Sequence, residues 1–133
     1  MDINKLNISE VETFLNGILD NVVSNNTFVG SKFPDKASIP QGWRDMCVID
    51  IPNGIRDFEA YGRGTVLVYL CARPMESGRK NVAVLSNMEK KLNEAIASNS
   101  NRTYHLSKRL TFTGYSTDID WHFNVVELTI KVF

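Results

Sequence analysis

The stretch TVLVYLCA, residues 65–72, decides the fold predicted from this sequence. It is almost continuously apolar and rich in β-branched residues, which is typical of a strand that is buried on both faces. We therefore predict a central strand of a β-sheet here, with other parts of the chain packed on each side of it.

Three further segments have strand-like patterns. Residues 45–51 (DMCVIDI) form a short apolar run that ends at Pro-Asn-Gly, residues 52–54, a strong turn signal. Residues 104–112 alternate apolar and polar side chains, with Tyr, Leu, Leu and Phe as the apolar set, as expected for a half-buried strand. Residues 55–64 (IRDFEAYGRG) mix charged and aromatic side chains, which fits either a poor strand or an extended hairpin loop.

The last strand, residues 121–133, changes the parity of its apolar positions. Trp121 and Phe123 set one alternation, whereas Val126 and Leu128 set the opposite one. This pattern indicates either a β-bulge near Val125 or a strand whose two halves are buried on different faces.

Two amphipathic helices are predicted. The first begins at Ser9, which forms a capping box with Glu12, and its apolar face continues to Val23. The second extends from about Gly78 to Ser98, with Ser77 as its cap.

The order of these segments predicts the fold class. We expect an α+β domain over residues 1–133, with an antiparallel sheet of four to five strands packed against two helices in the order α-β-(β)-β-α-β-β. Residues 27–44, rich in Pro and Gly, are predicted to be a long irregular connection, and connections of that length are often functional or mobile.

Composition excludes several classes of function. The formal net charge of zero argues against a dedicated DNA-binding domain, whose affinity would come mostly from excess Lys and Arg, and we expect no sequence-specific nucleic-acid partner. No apolar run is long enough to cross a membrane, and no signal peptide is visible at the start of the sequence. The two cysteines, Cys47 and Cys71, lie in apolar strand segments and are predicted to be reduced core thiols of a cytoplasmic protein.

No catalytic or metal-binding motif is recognisable, so we expect neither an active site nor a cofactor. The only histidines, His105 and His122, are predicted to lie on opposite faces of the sheet. Asp118 and Asp120 leave two alternatives open, a cation site or a solvated turn.

The strand-to-helix stretch ARPMESGRKN, residues 72–81, raises the possibility of a phosphate-binding loop. It does not fit the Gly-x-x-x-x-Gly-Lys-Ser/Thr pattern that such a loop requires. Either it is a solvated loop, or its cationic side chains form a weak anion site at the start of the second helix, with Arg73, Arg79 and Lys80 as the candidates.

The order of elements also carries a family resemblance. The capped first helix, the long connection, the hairpin DMCVIDIPNGIRDFEAYGRGTVLVYLCARP, the helix NVAVLSNMEKKLNEAI and the final hairpin together resemble the tail terminator and neck (head-tail completion) proteins of long-tailed phages. The resemblance covers nearly the whole chain and is one of architecture.

The resemblance implies a structural protein without an active site. It would form a ring, expected to be a hexamer, and would contact other tail or neck proteins during assembly of a virion or prophage particle. Two surfaces would carry this function. The candidate subunit interface comprises Arg56, Asp57, Phe58, Glu59, Tyr61 and Arg63, and the candidate assembly loop carries Phe28, Phe33 and Trp43.

A second class of function fits the same sequence. The chain would then be a small cytoplasmic α+β module that binds a peptide or a ligand through its sheet or its long loop. In that case Phe33 and Trp43 need only cap the core. Charge favours association weakly, because residues 1–72 have more acidic than basic side chains and residues 73–133 have the reverse, which suits head-to-tail contacts. Uneven scatter of surface charge is the simpler explanation of this asymmetry.

Overall fold

The fold is α+β, as predicted, in a computed structural model that describes residues 7–30 and 33–133. These residues form two α-helices and six β-strands, with four strands after the first helix and two after the second. The elements are α1 (Ile8–Leu19), β1 (Thr27–Val29), a 3-10 helix (Lys36–Ser38), β2 (Asp45–Asp50), β3 (Ile55–Asp57), β4 (Gly62–Ala72), α2 (Val82–Asn99), β5 (Tyr104–Ser116) and β6 (Trp121–Val132).

The six strands form one sheet in the order β1-β2-β4-β6-β5, and β3 pairs with β4 beyond the end of β2. All neighbours are antiparallel except β1 and β2, which are parallel. The prediction of a central strand at residues 65–72 is confirmed, because β4 lies between β2 and β6. The sheet has one strand more than expected, since the segment predicted to be irregular contains β1, which is only three residues long.

Both helices pack on one face of the sheet, which we call the helix face. Alternate residues of the central strands point towards them, so Val68 and Leu70 of β4 and Leu128 of β6 join Leu15 and Leu92 of the helices in one core. Each of these five side chains is at most 1% exposed. Full burial of a side chain of this size contributes about 1.5–3 kcal/mol, so this core supplies most of the driving force for folding.

The helices begin at different caps from those predicted. Asn7 caps α1, its side-chain oxygen accepting a hydrogen bond from the backbone N–H of Ser9 at 2.9 Å. Asn81 caps α2 in the same way, accepting from the N–H of Val84 at 3.3 Å. The predicted capping box at Ser9 is therefore wrong, and α2 begins after the Gly78 turn, where a φ of +82° is incompatible with a helix.

The first helix also ends earlier than its apolar pattern indicated. It stops at Leu19, because Asn21 adopts a φ of +60° and turns the chain. Val22, in the predicted apolar face, is consequently 45% exposed, whereas Val23 remains buried beside the helix.

The opposite face of the sheet, which we call the far face, carries a second and smaller core. Its buried members come from β2, β4, the β5–β6 turn, β6 and the loop of residues 33–44 that follows β1: Ile39, Met46, Cys71, Ile119 and Trp121. Partly buried aromatic rings surround them, namely Phe28, Phe33, Trp43, Tyr69 and Phe123. We call these ten residues the far-face cluster.

The change in the alternation of apolar residues along the last strand has a structural explanation. β6 pairs with β4 without interruption from Gly62 opposite Val132 to Ala72 opposite His122, so it contains no bulge. Trp121 and Val125 face the far side, whereas Val126 and Leu128 face the helices. The alternative of a strand buried on different faces in its two halves is confirmed.

The irregularity lies instead in β5, where the register with β6 shifts between Lys108 and Leu110. One extra residue, Arg109, reverses which side chains face which side. Leu106 packs in the core under the helices, but Leu110 and Phe112 lie on the far face and are 49% and 46% exposed. The prediction of a single buried face for residues 104–112 is therefore wrong.

Candidate functional site

The thiols and histidines do not form a catalytic pair within the described residues. Cys47 and Cys71 are both fully buried, and they face opposite sides of the sheet. Burial raises the pKa of Cys47 to about 12 and that of Cys71 well above its ordinary value, so neither is a ready nucleophile. His105 and His122 also lie on opposite faces, as their partners Lys131 and Ala72 show. This confirms the predicted separation of the two histidines.

The two carboxylates of the β5–β6 turn, Asp118 and Asp120, have different surroundings. Asp120 forms a salt bridge with Lys36 of the 3-10 helix and accepts a hydrogen bond from the hydroxyl of Tyr115 at 3.2 Å. These hydrogen bonds hold the pKa of Asp120 below its ordinary value. Asp118 is exposed, and residues 7–30 and 33–133 contain no group of three potential ligands that could hold a metal ion.

The structure separates the three residues of the predicted anion site. Arg73 turns to the far face, where it donates hydrogen bonds to the carbonyl oxygens of Trp43 at 2.8 Å and Pro40 at 3.1 Å. Lys80 lies on the helix side and donates to Thr113 and Asn124 of the neighbouring strands, at 2.6 and 3.1 Å. Arg79 is exposed in the turn between them. Arg73 lies over the ring of Trp121, whereas Lys80 binds Asn124. Trp121 and Asn124 point to opposite faces of the sheet from β6, so the three basic residues of the predicted anion site are divided between two faces.

The three aromatic residues of the predicted assembly loop lie in the far-face cluster. Phe28 is in β1 and packs against Trp43, with ring centroids 5.9 Å apart. Phe33 meets Tyr69 edge-on at 5.3 Å and Phe123 at 5.7 Å. All three are half-buried, so the segment is already packed on the sheet in the single chain.

Beside this cluster a groove of about 570 Å³ opens on the far face. Its walls come from the loop, the sheet and the β5–β6 turn, and they include Phe33, Lys36, Val48, Tyr69 and Asp118. The mixture of apolar rings with one cation, Lys36, and two carboxylates, Asp35 and Asp118, is suited to a small amphipathic group. Sequence analysis missed this groove, because its walls come together only when the loop folds onto the sheet.

The candidate subunit interface coincides with the hairpin formed by β3 and β4. Arg56 and Arg63 are Cα partners across this hairpin, and both are exposed. Phe58 and Tyr61 close it, since the N–H of Phe58 donates to the carbonyl of Tyr61 at 2.8 Å and their rings stack at 5.5 Å. Glu59 occupies the turn with a φ of +63°. The predicted residues therefore share one protruding element.

A second surface was not recognised from the sequence, and it is the outer edge of β5. This strand is 13 residues long, and among residues 7–30 and 33–133 it pairs with β6 alone, so no described strand covers its other edge. It exposes Leu110, Phe112 and Tyr115, which are 49%, 46% and 47% accessible. A long bare edge with exposed apolar side chains is a template for pairing with another chain. The sequence analysis did not detect the bulge between Lys108 and Leu110. Without a bulge, the alternation of residues 104–112 predicts that Leu110 and Phe112 are buried.

Comparison with known proteins adds no assignment. No protein-family model matches this chain, and no curated protein is significantly similar to it in sequence. In the part of the chain that the structure describes, no helix is long and apolar enough to cross a membrane.

Proposed function

We propose that this protein is a non-enzymatic assembly component that joins head to tail with further copies of itself. The observation that carries the proposal is the presence of two different exposed surfaces on opposite sides of β4 and β6. One is the β3–β4 hairpin and the other is the bare edge of β5. Head-to-tail association needs two such unlike surfaces, and it produces a ring wherever the rotation between subunits closes.

The tip of the hairpin and the bulge of β5 have charges of opposite sign. Asp57 and Glu59 place two carboxylates at the tip of the hairpin, and both side chains are exposed. Lys108 and Arg109 place two cations at the bulge of β5, also exposed. Lys108 forms a long salt bridge of 3.8 Å with Glu89 of α2, whereas Arg109 forms no salt bridge with the described residues. Opposite charges on the two surfaces favour this orientation over a symmetric one.

The resemblance in element order gives the assembly a biological setting. A tail terminator or neck component of a phage or prophage particle would act in this way, as a ring of six copies in contact with other tail or neck proteins. Such a protein would be made in the cytoplasm and would need no cofactor. The packed Phe28, Phe33 and Trp43 would then contribute a fixed surface rather than a loop that orders during assembly.

A charge exchange tests the proposed contact. Arg109→Glu and Glu59→Lys are each expected to weaken association, because each places like charges across the contact. The double variant restores an opposite pair in every contact and should recover association. Lys91→Glu, on the exposed side of α2, is the matched control for the loss of one cation and should change nothing.

Sedimentation velocity over a wide concentration range measures the association, and negative-stain electron microscopy shows whether the assemblies are closed rings. A wild-type chain that stays monomeric at every concentration contradicts self-association. Association that survives both single substitutions unchanged contradicts the proposed contact between the hairpin and β5.

The groove on the far face supports a second candidate function, binding of a peptide or small ligand by a monomer. Its apolar wall at Phe33 and Tyr69 and its charged rim at Lys36 are the supporting features. A library of short peptides screened by NMR chemical shifts distinguishes this candidate. Shifts clustered at the groove in a monomeric sample favour it over assembly, and their absence removes it.

A further inference from the structure

A row of basic side chains crosses four strands on the far face, at the end of the sheet away from the far-face cluster. Arg56 of β3 is the Cα partner of Arg63 of β4, Arg63 is the partner of Lys131 of β6, and Lys131 is the partner of His105 of β5. We call these four residues the basic row. Neighbouring strands are about 4.8 Å apart, so the basic row is about 14 Å long.

Within the described residues no carboxylate forms a salt bridge with the basic row, and the carboxylates of the same hairpin, Asp57 and Glu59, lie at its tip. The salt bridges of residues 7–30 and 33–133 are Lys36 with Asp120 and Lys108 with Glu89, and neither involves the basic row. Along β6 the nearest carboxylate on the same face is Glu127, four residues and about 13 Å from Lys131. Like charges directly opposite one another destabilise a sheet, so this arrangement costs free energy unless an anion binds.

An aromatic row lies beside the basic row and parallel to it. It consists of Phe58, Tyr61 and Phe133, whose neighbouring ring centroids are 5.5 and 5.9 Å apart. Phe58 and Phe133 are each 40% exposed. The guanidinium of Arg56 lies 5.4 Å from the Phe58 ring, and the ammonium of Lys131 lies 5.4 Å from the Tyr61 ring, which fixes the two rows side by side.

Polar groups continue the surface on the other side of the basic row. Thr65 of β4 and Ser107 of β5 occupy the next positions on the far face, on either side of the buried Thr129 of β6. At the hairpin end a shallow pocket of about 360 Å³ is lined by Arg56, Arg63 and the Phe58 ring, without a carboxylate in its wall. The chemistry of the surface is therefore cationic and hydroxyl-bearing on one side and aromatic on the other.

We propose that the basic and aromatic rows bind single-stranded nucleic acid without preference for sequence. Single-strand binding combines cations that track the phosphates with aromatic faces on which bases stack, and the two rows provide these features in parallel. Hydroxyl groups of Ser and Thr add contacts to phosphate oxygens. An acidic peptide would satisfy the cations but would add no base-stacking contact to the exposed parts of Phe58 and Phe133.

This site shares the β3–β4 hairpin with the proposed head-to-tail contact but uses other side chains of it, namely Arg56, Arg63, Phe58 and Tyr61 instead of Asp57 and Glu59. It occupies the flat face of the sheet, whereas the contact uses the edge of β5 and the hairpin tip. The net charge of zero is compatible with it, because three permanently charged side chains are enough for weak binding that depends strongly on salt. For about three phosphate contacts, the logarithm of the association constant should fall against the logarithm of salt concentration with a slope of about −2.

The test is fluorescence anisotropy of a labelled 12-nucleotide oligothymidine, titrated with the full chain at several KCl concentrations. Arg56→Gln/Arg63→Gln should weaken binding and reduce the slope to about −0.7, since two of three phosphate contacts are lost. This variant should fold at least as well as the wild type, because it removes an opposed pair of like charges. Lys90→Gln/Lys91→Gln removes the same charge from exposed positions on α2 and is the matched control.

A third variant separates stacking from charge. Phe58→Leu should weaken binding about fivefold or more at every salt concentration and leave the slope unchanged, because it removes a stacking face and no cation. The proposal is overturned if the oligonucleotide does not bind, or if the Lys90/Lys91 control loses as much affinity as the Arg56/Arg63 variant. It is also overturned if polyglutamate of equal length competes as well as the oligonucleotide and Phe58→Leu has no effect, since the site would then recognise an acidic peptide.

Discussion

Replacing Arg73 by methionine should loosen the loop of residues 33–44 from the sheet while leaving the helix face intact. The Arg73 side chain holds this loop by hydrogen bonds to the carbonyl oxygens of Trp43 and Pro40, and its guanidinium lies 4.9 Å from the Trp121 ring. Methionine keeps most of the apolar stem but offers no donor, so the substitution isolates the polar contacts.

The expected loss of stability follows from these contacts. A hydrogen bond from a charged donor contributes about 1.5–3 kcal/mol when buried, and about half of that at this half-buried site. A cation over an aromatic face adds about 0.5–1 kcal/mol. Some of the loss is recovered because water can reach the freed carbonyl groups, so we expect about 2 kcal/mol, or about 6 °C in Tm for a domain of this size.

Urea unfolding followed by intrinsic fluorescence measures this loss, because the sequence has only two tryptophans and both belong to the far-face cluster. Arg79→Met is the control, since Arg79 is exposed and its side chain has no hydrogen bond within the described residues. If the Arg73 variant is as stable as the control and its emission spectrum is unchanged, the loop is held by apolar packing and our reasoning is wrong.

Three further perturbations test other parts of the structure. Gly64→Ala should destabilise the hairpin, because an added Cβ would lie 2.7 Å from a backbone oxygen of the β2–β3 turn, whereas Gly17→Ala meets nothing within 4 Å and should raise Tm through helix propensity. Cys47 and Cys71 should resist iodoacetamide in the native state at pH 8 and react only on unfolding, as mass spectrometry can follow, since burial raises both pKa values. Asp120→Asn should abolish one component of acid destabilisation in thermal melts below about pH 4. The hydrogen bond from Lys36 lowers the pKa of Asp120 in the folded chain. The stabilisation by ionised Asp120 is therefore present above the pKa of the unfolded chain and is lost as pH falls through the lower pKa of the folded chain. Asparagine tolerates the φ of +58° at this position, so the substitution adds no backbone strain.

The fold class and the central strand followed from local patterns. The apolar run at residues 65–72 needed burial on both faces, and the order of elements left few arrangements for two amphipathic helices. The errors came where a neighbour in space overrides the local pattern. Arg109 shifts the register against β6, and β1 exists only because it pairs with β2, so neither was visible in the periodicity of its own segment.

The candidate functional surfaces were predicted only in part, again because residues from separate strands meet in space. The hairpin residues are contiguous in sequence, so the segment Arg56 to Arg63 was identified as one surface. The basic row additionally requires Lys131 and His105, which come from two other strands and join the row only through strand register. The division of Arg73 from Lys80 is likewise a consequence of the sheet, which passes between residues that are close in sequence.

The two cores on opposite faces of the sheet give this protein two levels of opening. The far-face cluster is packed against the loop of residues 33–44, whereas the core of the helix face is formed by two helices and four strands. A layer with so few supports can open and close while the other remains folded. Amide hydrogens that the loop protects, such as that of Arg73 bonded to the carbonyl of Arg44, should therefore exchange through a smaller opening free energy than those shared by β4 and β6.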